Sequence, residues 1–170
     1  MIYINIGSNL KSLRGDRLYN LKKSVELIAS KKIRILKTSN IYETPSYPNE
    51  KNPKFLNICL LIDSKKKPES LIKIFKSIEK KLQRTRGLKN QSRTCDIDII
   101  DYFGKVIDSK IIILPHPRAH LRNFVLYPLK EISPNWFHPI LKKKIDFLIK
   151  KLNFKLRNEI TRLNESVIIN

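Results

Sequence analysis

At 170 residues and 20.0 kDa the chain is long enough to bury a core without disulfides or metal staples, and too short for two full-sized domains. Thirty-five lysines and arginines stand against fifteen aspartates and glutamates, and the resulting +20 selects anionic partners: nucleic acid, phosphate-bearing small molecules or an acidic membrane surface. A hydrophobic fraction of 41% excludes disorder despite that charge, and no apolar run reaches the roughly 18 residues that a membrane span needs.

In chain order, Ile2, Ile4 and Ile6 alternate with Tyr3 and Asn5 before Gly7-Ser8-Asn9, which predicts a strand ending in a turn. Asp16 is placed to cap a helix over 17–30, with Leu18, Leu21, Val25 and Ile28 on one face. A second strand is expected over 33–42. Three prolines between Thr44 and Pro53 then impose an exposed, non-helical loop, and Phe55 to Ile62 reads as a third strand. Pro68 opens a second helix carrying Leu71, Phe75, Ile78 and Leu82, which should stop near Gly87. Cys95 to Phe103 is strand-like, and Gly104 is expected to turn it into a hairpin with Val106-Ile107. The order βαββαβ specifies an α+β fold, a ferredoxin-like sandwich whose antiparallel sheet carries both helices on one face. Two further C-terminal helices, over 124–132 and 141–152, should cover an edge or the other side. The whole of 1–170 reads as one domain. The start MIYINIGSN has neither a basic leader nor a cleavage site, so a cytoplasmic protein is expected, with Cys59 and Cys95 as reduced core thiols.

Much of the charge is dispersed lysine, twenty-five against ten arginines, as a solvated basic surface would be. Five of the scarce arginines, Arg84, Arg86, Arg93, Arg118 and Arg122, fall within one stretch and suggest a phosphate-reading site. Asp96 and Asp98 share one strand face while Cys95, Ile97 and Ile99 share the other. Such a pair either stays hydrated on an edge strand or holds a cation, and Mg²⁺ is commonly held by one or two carboxylates plus phosphate oxygens. Asp101 breaks the alternation and is read as structural. Leu114-Pro-His-Pro-Arg-Ala-His120 is a stiff, electropositive loop presenting His116 and Arg118. Around the proline-rich loop, Tyr42, Tyr47 and Phe55 with the carboxamide of Asn57 form a set able to stack on and edge-bond a flat heterocycle. A nucleic-acid-binding sheet of this kind would carry a K/R-G-F/Y-G/A-F string, and the sequence has none.

Four motifs in order, Gly7-Ser8-Asn9-Leu10, Phe55-Leu56-Asn57, Arg93-Thr94-Cys95-Asp96-Ile97-Asp98-Ile99, and Leu114-Pro115-His116-Pro117-Arg118 running into Phe124-Val125-Leu126-Tyr127-Pro128-Leu129, resemble the 6-hydroxymethyl-7,8-dihydropterin pyrophosphokinases of folate biosynthesis. The resemblance extends from Tyr3 to about Leu152. It implies a ferredoxin-like sandwich that moves the β,γ-pyrophosphoryl group of ATP onto the pterin hydroxymethyl group with two Mg²⁺ ions; a monomer with no membrane or nucleic-acid partner is expected. By position it makes Asp96 and Asp98 the metal ligands, and Arg84 and Arg93 catalytic alongside them. Glu79, Arg84, Arg86, Arg93, His116 and Arg122 become the ATP site, and Thr44, Pro45, Phe55, Asn57 and Phe124 the pterin site, with the two phenylalanines as faces of an aromatic sandwich. One departure stands out: Asn90-Gln91-Ser92 occupies the place of a Trp-Gly-Pro found in many members.

Overall fold

The computed structural model describes residues 1–85 and 91–167. The alternating start forms β1 (Ile2–Ser8), and Asp16 caps α1 (Arg17–Ala29) by accepting from the Tyr19 N–H. The next strand is split into β2 (Arg34–Thr38) and β3 (Asn40–Thr44). The break falls at Ser39, whose N–H donates to Cys59 O while its hydroxyl accepts from Cys59 N–H, so one residue takes both ladder positions and bends the strand. β4 (Phe55–Asp63) follows, then α2 (Pro68–Lys81) with proline in its first turn, then β5 (Asp96–Tyr102). The second helix therefore ends six residues before Gly87, which lies outside the described residues.

These strands make one antiparallel sheet in the order β5-β1-β4-β3, with β2 also paired to β4. Ile2, Ile4, Ile6, Ile58, Leu60, Ile62, Ile97 and Ile99 face α1 and α2, burying Leu21, Val25, Ile28, Leu71, Phe75 and Ile78 against them. Each such side chain contributes roughly 1.5–3 kcal/mol of transfer free energy, which makes this layer the main stabilising element. The opposite face presents Tyr3, Cys59, Leu61 and Ile100 to α3 (Asn123–Ile132) and α4 (Ile145–Lys151). Both cysteines are buried and free, and burial pushes both thiols up, so neither serves as a thiolate. No helix among the described residues is long and apolar enough to cross a membrane.

Three expectations change. Ile107 does not fold back on β5: β6 (Ile107–Asp108) pairs with β7 (Ile113–Leu114), because the Ser109 hydroxyl accepts from the Ile111 and Ile112 N–H groups and closes a local ribbon. The last predicted helix starts at Ile145 instead of 141, since Lys142 takes a left-handed φ of 51° and Phe137 bridges to Lys144. After the short α5 (Phe154–Asn158), β8 (Thr161–Ser166) adds an unanticipated edge strand to β3. Its residues are almost all exposed, so no apolar alternation marks it.

Candidate active site

The α3 layer covers only part of its sheet face, and the site residues gather beyond its N-terminal end. On β5 the alternation turns Ile97 and Ile99 into the core and leaves Asp96 and Asp98 on the opposite face, where Asp98 lies in register with Asn5 and Asp96 with Gly7. Arg84, just past α2, donates from Nη1 to Asp96 Oδ1 and to Glu79 Oε1, each at 2.5 Å. Arg93 donates from Nη1 to Asp96 Oδ2 at 2.6 Å, so both carboxylate oxygens of Asp96 are held by guanidinium groups. Glu79 also accepts from the Ile97 N–H at 2.8 Å and thereby fixes α2 to β5. Burial raises its pKa, with Arg84 opposing.

Asp98 is held less tightly. Its Oδ2 lies 3.7 Å from Arg122 Nη1 and 3.8 Å from His116 Nε2. His116 Nδ1 accepts from the Arg118 backbone N–H at 3.1 Å, and its Nε2, besides facing Asp98, lies 3.4 Å from Arg122 Nη1. Burial and the neighbouring Arg122 and Arg118 lower this histidine to about 4, so it is uncharged at neutral pH. Asp98 moves the other way, to about 7, through desolvation and repulsion from Asp96, with Arg122 opposing. A cation among these hard oxygen donors would relieve that repulsion.

The sign of the Asp98 shift gives a stability prediction. A carboxyl whose folded-state pKa lies above its ordinary value stabilises the fold most below about pH 4, and that contribution is lost as pH rises through about 7. The side chain is 38% exposed, so solvent screens much of the effect. Asp98→Asn in the presence of chelator should melt with wild type near pH 4 and roughly 2–4 °C above it at pH 8, the shift that about 1 kcal/mol gives at this chain length. Calorimetry at the two pH values measures this; equal melting at pH 8 would contradict the repulsion.

The second cluster stands beside the first. Thr44 closes β3 with Pro45 half-buried after it, and the Thr44 hydroxyl accepts from Asn57 Nδ2 at 3.2 Å, which orients a carboxamide that is only 2% exposed. Gly7 lies beneath: a Cβ there would come within 3.1 Å of Asn57 Oδ1 and 3.6 Å of the Phe55 ring, so a larger residue would press on the amide and glycine leaves it room. Phe55 at the start of β4 and Phe124 in the first turn of α3 each carry an arginine near the ring. Arg93 lies 6.0 Å from the Phe55 centroid and Arg122 5.4 Å from that of Phe124. The two arginines thus join the aromatic pair to the carboxylate pair. Arg86 lies outside the described residues.

Sequence reasoning passes over Asn5 and Asn9 as site residues. Asn5 is buried on this face between Tyr3 and Gly7; with its amide turned to suit its neighbours, Nδ2 donates to Ile58 O at 3.0 Å and Phe124 O at 3.2 Å. The Phe124 carbonyl is free for it because Pro128, four residues on, has no N–H to give. The signal is present in two places, an asparagine inside an isoleucine run and a proline inside a helix. Asp101 is buried and structural, as its break in the alternation implies: a bulge at Ile100 turns it toward the α3 face, where it accepts from Trp136 Nε1 at 2.8 Å and Gly104 N–H at 2.7 Å.

The sequence profile of the family described as 7,8-dihydro-6-hydroxymethylpterin-pyrophosphokinase matches residues 3–134. A 2-amino-4-hydroxy-6-hydroxymethyldihydropteridine pyrophosphokinase of Aquifex aeolicus is 35% identical over 144 residues, 85% of this chain and 87% of that protein. A folic acid synthesis protein of Pneumocystis carinii is 35% identical over 151 residues, 89% of this chain but 20% of its own length. The fold matches that of an HPPK-DHPS of Plasmodium falciparum with a TM-score of 0.71 at 13% identity, covering 95% of this chain and 46% of that one. The chain therefore spans a fifth of one relative and under half of the other, while it matches the Aquifex enzyme nearly end to end. With the profile covering more than half of its length and these motifs in one site, the chain belongs to the 7,8-dihydro-6-hydroxymethylpterin-pyrophosphokinase family.

Proposed function

We propose that the chain transfers the β,γ-pyrophosphoryl group of ATP to the hydroxymethyl oxygen of 6-hydroxymethyl-7,8-dihydropterin and releases AMP, acting as a single domain over 1–170 on a ferredoxin-like core. The observation that carries this reading is the junction of two unlike clusters through Arg93 and Arg122, one suited to phosphate and the other to a flat heterocycle. Asn57, oriented by Thr44 and left open by Gly7, offers both a donor and an acceptor to a pterin edge, and Pro45 walls the same side. Phe55 and Phe124 supply the stacking faces.

Asp96 and Asp98 fit Mg²⁺: both are oxygen donors, they share a strand face, and the Asp98 charge is disfavoured by burial and by Asp96. Two bound ions would neutralise phosphate charge. Arg84, Arg93 and Arg122, with Arg86, would take phosphate oxygens and hold the chain of phosphates in line with the attacking hydroxyl. His116, neutral and with its Nε2 turned toward Asp98 and Arg122, is the ring offered to the nucleotide. The resemblance implies that Glu79 touches the nucleotide itself; its ties to Arg84 and the Ile97 N–H support instead a part in aiming Arg84.

The test is incubation of the protein with ATP, Mg²⁺ and the pterin, with products separated by chromatography. AMP should accumulate only when both pterin and divalent metal are present, whereas ADP would indicate ordinary kinase chemistry. In the same assay, Phe55→Ala and Phe124→Ala should each weaken pterin binding by about 1 kcal/mol or more and ATP binding far less. Equal losses for both ligands would mean that the packing, not the sandwich, had been damaged.

A further inference from the structure

Asn9, immediately after β1, is 2% exposed, yet its amide is shared by three separate segments. Its Oδ1 accepts from the Arg93 N–H at 2.7 Å, and its own N–H donates to Arg93 O at 3.0 Å, with the Leu10 N–H on the same carbonyl at 3.1 Å. Its Nδ2 lies 2.9 Å from Pro53 O, 3.0 Å from Ser46 Oγ and 3.0 Å from Ser92 Oγ. Ser46 also donates to Pro53 O at 2.8 Å, so the two ends of the proline-rich loop are closed over the same amide. One side chain therefore clamps the loop that begins at Thr44-Pro45 to the backbone that carries Arg93.

The placement matters because Arg93 stands at the junction of the two clusters, with Nη1 on Asp96 and its guanidinium beside Phe55. A planar guanidinium grips oxygens in fixed geometry, and displacement of its backbone by about 1 Å is enough to lose a large factor in rate. Removing the amide would leave the Arg93 N–H without its partner and the Pro53 carbonyl with Ser46 alone, in a partly buried place, and the link between the two segments would be lost.

We propose that Asn9 is a positioning residue for the reaction: it locks the pterin-side loop to the Arg93 arm, so that the arginine is aligned for the phosphates when the loop is in place for the pterin. The inference rests on the pyrophosphokinase reading above. It predicts coupling rather than mere support, because Asn9 would act through Arg93.

The decisive measurement is a double-mutant cycle on AMP formation with Asn9→Ala, Arg93→Ala and the two combined, each with KM for ATP and for pterin and a thermal melt. Asn9→Ala should lower kcat by at least about 10-fold and raise the pterin KM by about 3-fold or more, and the double variant should be no more than about twofold slower than Arg93→Ala. Asn9→Asp keeps the acceptor for the Arg93 N–H and loses the donor to Ser46 and Pro53. It should raise the pterin KM while retaining more of kcat than Asn9→Ala, and it replaces Asn9→Ala in the cycle if that variant does not fold. Losses that multiply in the double variant, or an Asn9→Ala enzyme within about threefold of wild type, would overturn the positioning role. Absence of AMP from the wild-type protein would instead overturn the activity on which it rests.

Discussion

Asp96→Ala should cut turnover by at least roughly 10²-fold, a loss of about 3 kcal/mol or more of transition-state stabilisation, while the protein stays folded. Both its oxygens are engaged, by Arg84 and Arg93, so truncation would remove a proposed metal ligand and release two guanidinium groups that then repel each other. Asp98→Ala should lose as much turnover for a different reason. It takes the less tightly held carboxylate, and with it a destabilising repulsion, so its melting temperature should not fall. Both side chains are partly exposed, at 25% and 38%, which separates them from the core. Steady-state AMP release and thermal melting on the same samples check the pair; an active variant, or one that loses rate only by unfolding, would remove the metal role.

Arg93→Ala should cost about 10²-fold or more in turnover, as removal of a positioned electrostatic stabiliser does. The contrast is the cluster Lys142, Lys143 and Lys144, all exposed, whose replacement by glutamine should change the rate less than about twofold because surface charges are screened at physiological ionic strength. The comparison decides what the +20 is for. A polyanion partner would engage many dispersed lysines and show a steep salt dependence, whereas ATP meets a few arginines. A larger effect at the lysines than at Arg93 would favour nucleic acid.

The periodic parts of the fold are legible in the sequence. Alternation predicts β1, the core-facing Ile97 and Ile99 and the opposing Asp96 and Asp98, and helical spacing predicts α1 and α2 to within about a residue at their starts. What stays hidden has no period. The bend at Ser39 is made by a serine hydroxyl across 20 residues, and the clamp at Asn9 by an amide reaching 37, 44 and 83 residues along the chain. Such bonds satisfy buried polar groups without any local repeat to reveal them. β8 escapes for the opposite reason, since an exposed edge strand has no apolar face to alternate. For the site, the types and order of residues carry the chemistry, but the division of labour among the acids does not show: Asp96 holding two arginines, Glu79 joining α2 to β5.

The missing N–H at Pro128 reaches further than the helix that contains it. A helix with an alanine there would close its own ladder and be free to fray or re-dock as an independent unit; as it stands, α3 has an acceptor at Phe124 without a helical donor, and the strand beneath fills it through Asn5. Local helical stability has been exchanged for interlocking. The first turn of α3 cannot loosen without breaking a bond to the middle of the sheet, so Phe124 and the neighbouring Arg122 should exchange their amide hydrogens on the slow timescale of the core and not on that of a helix end.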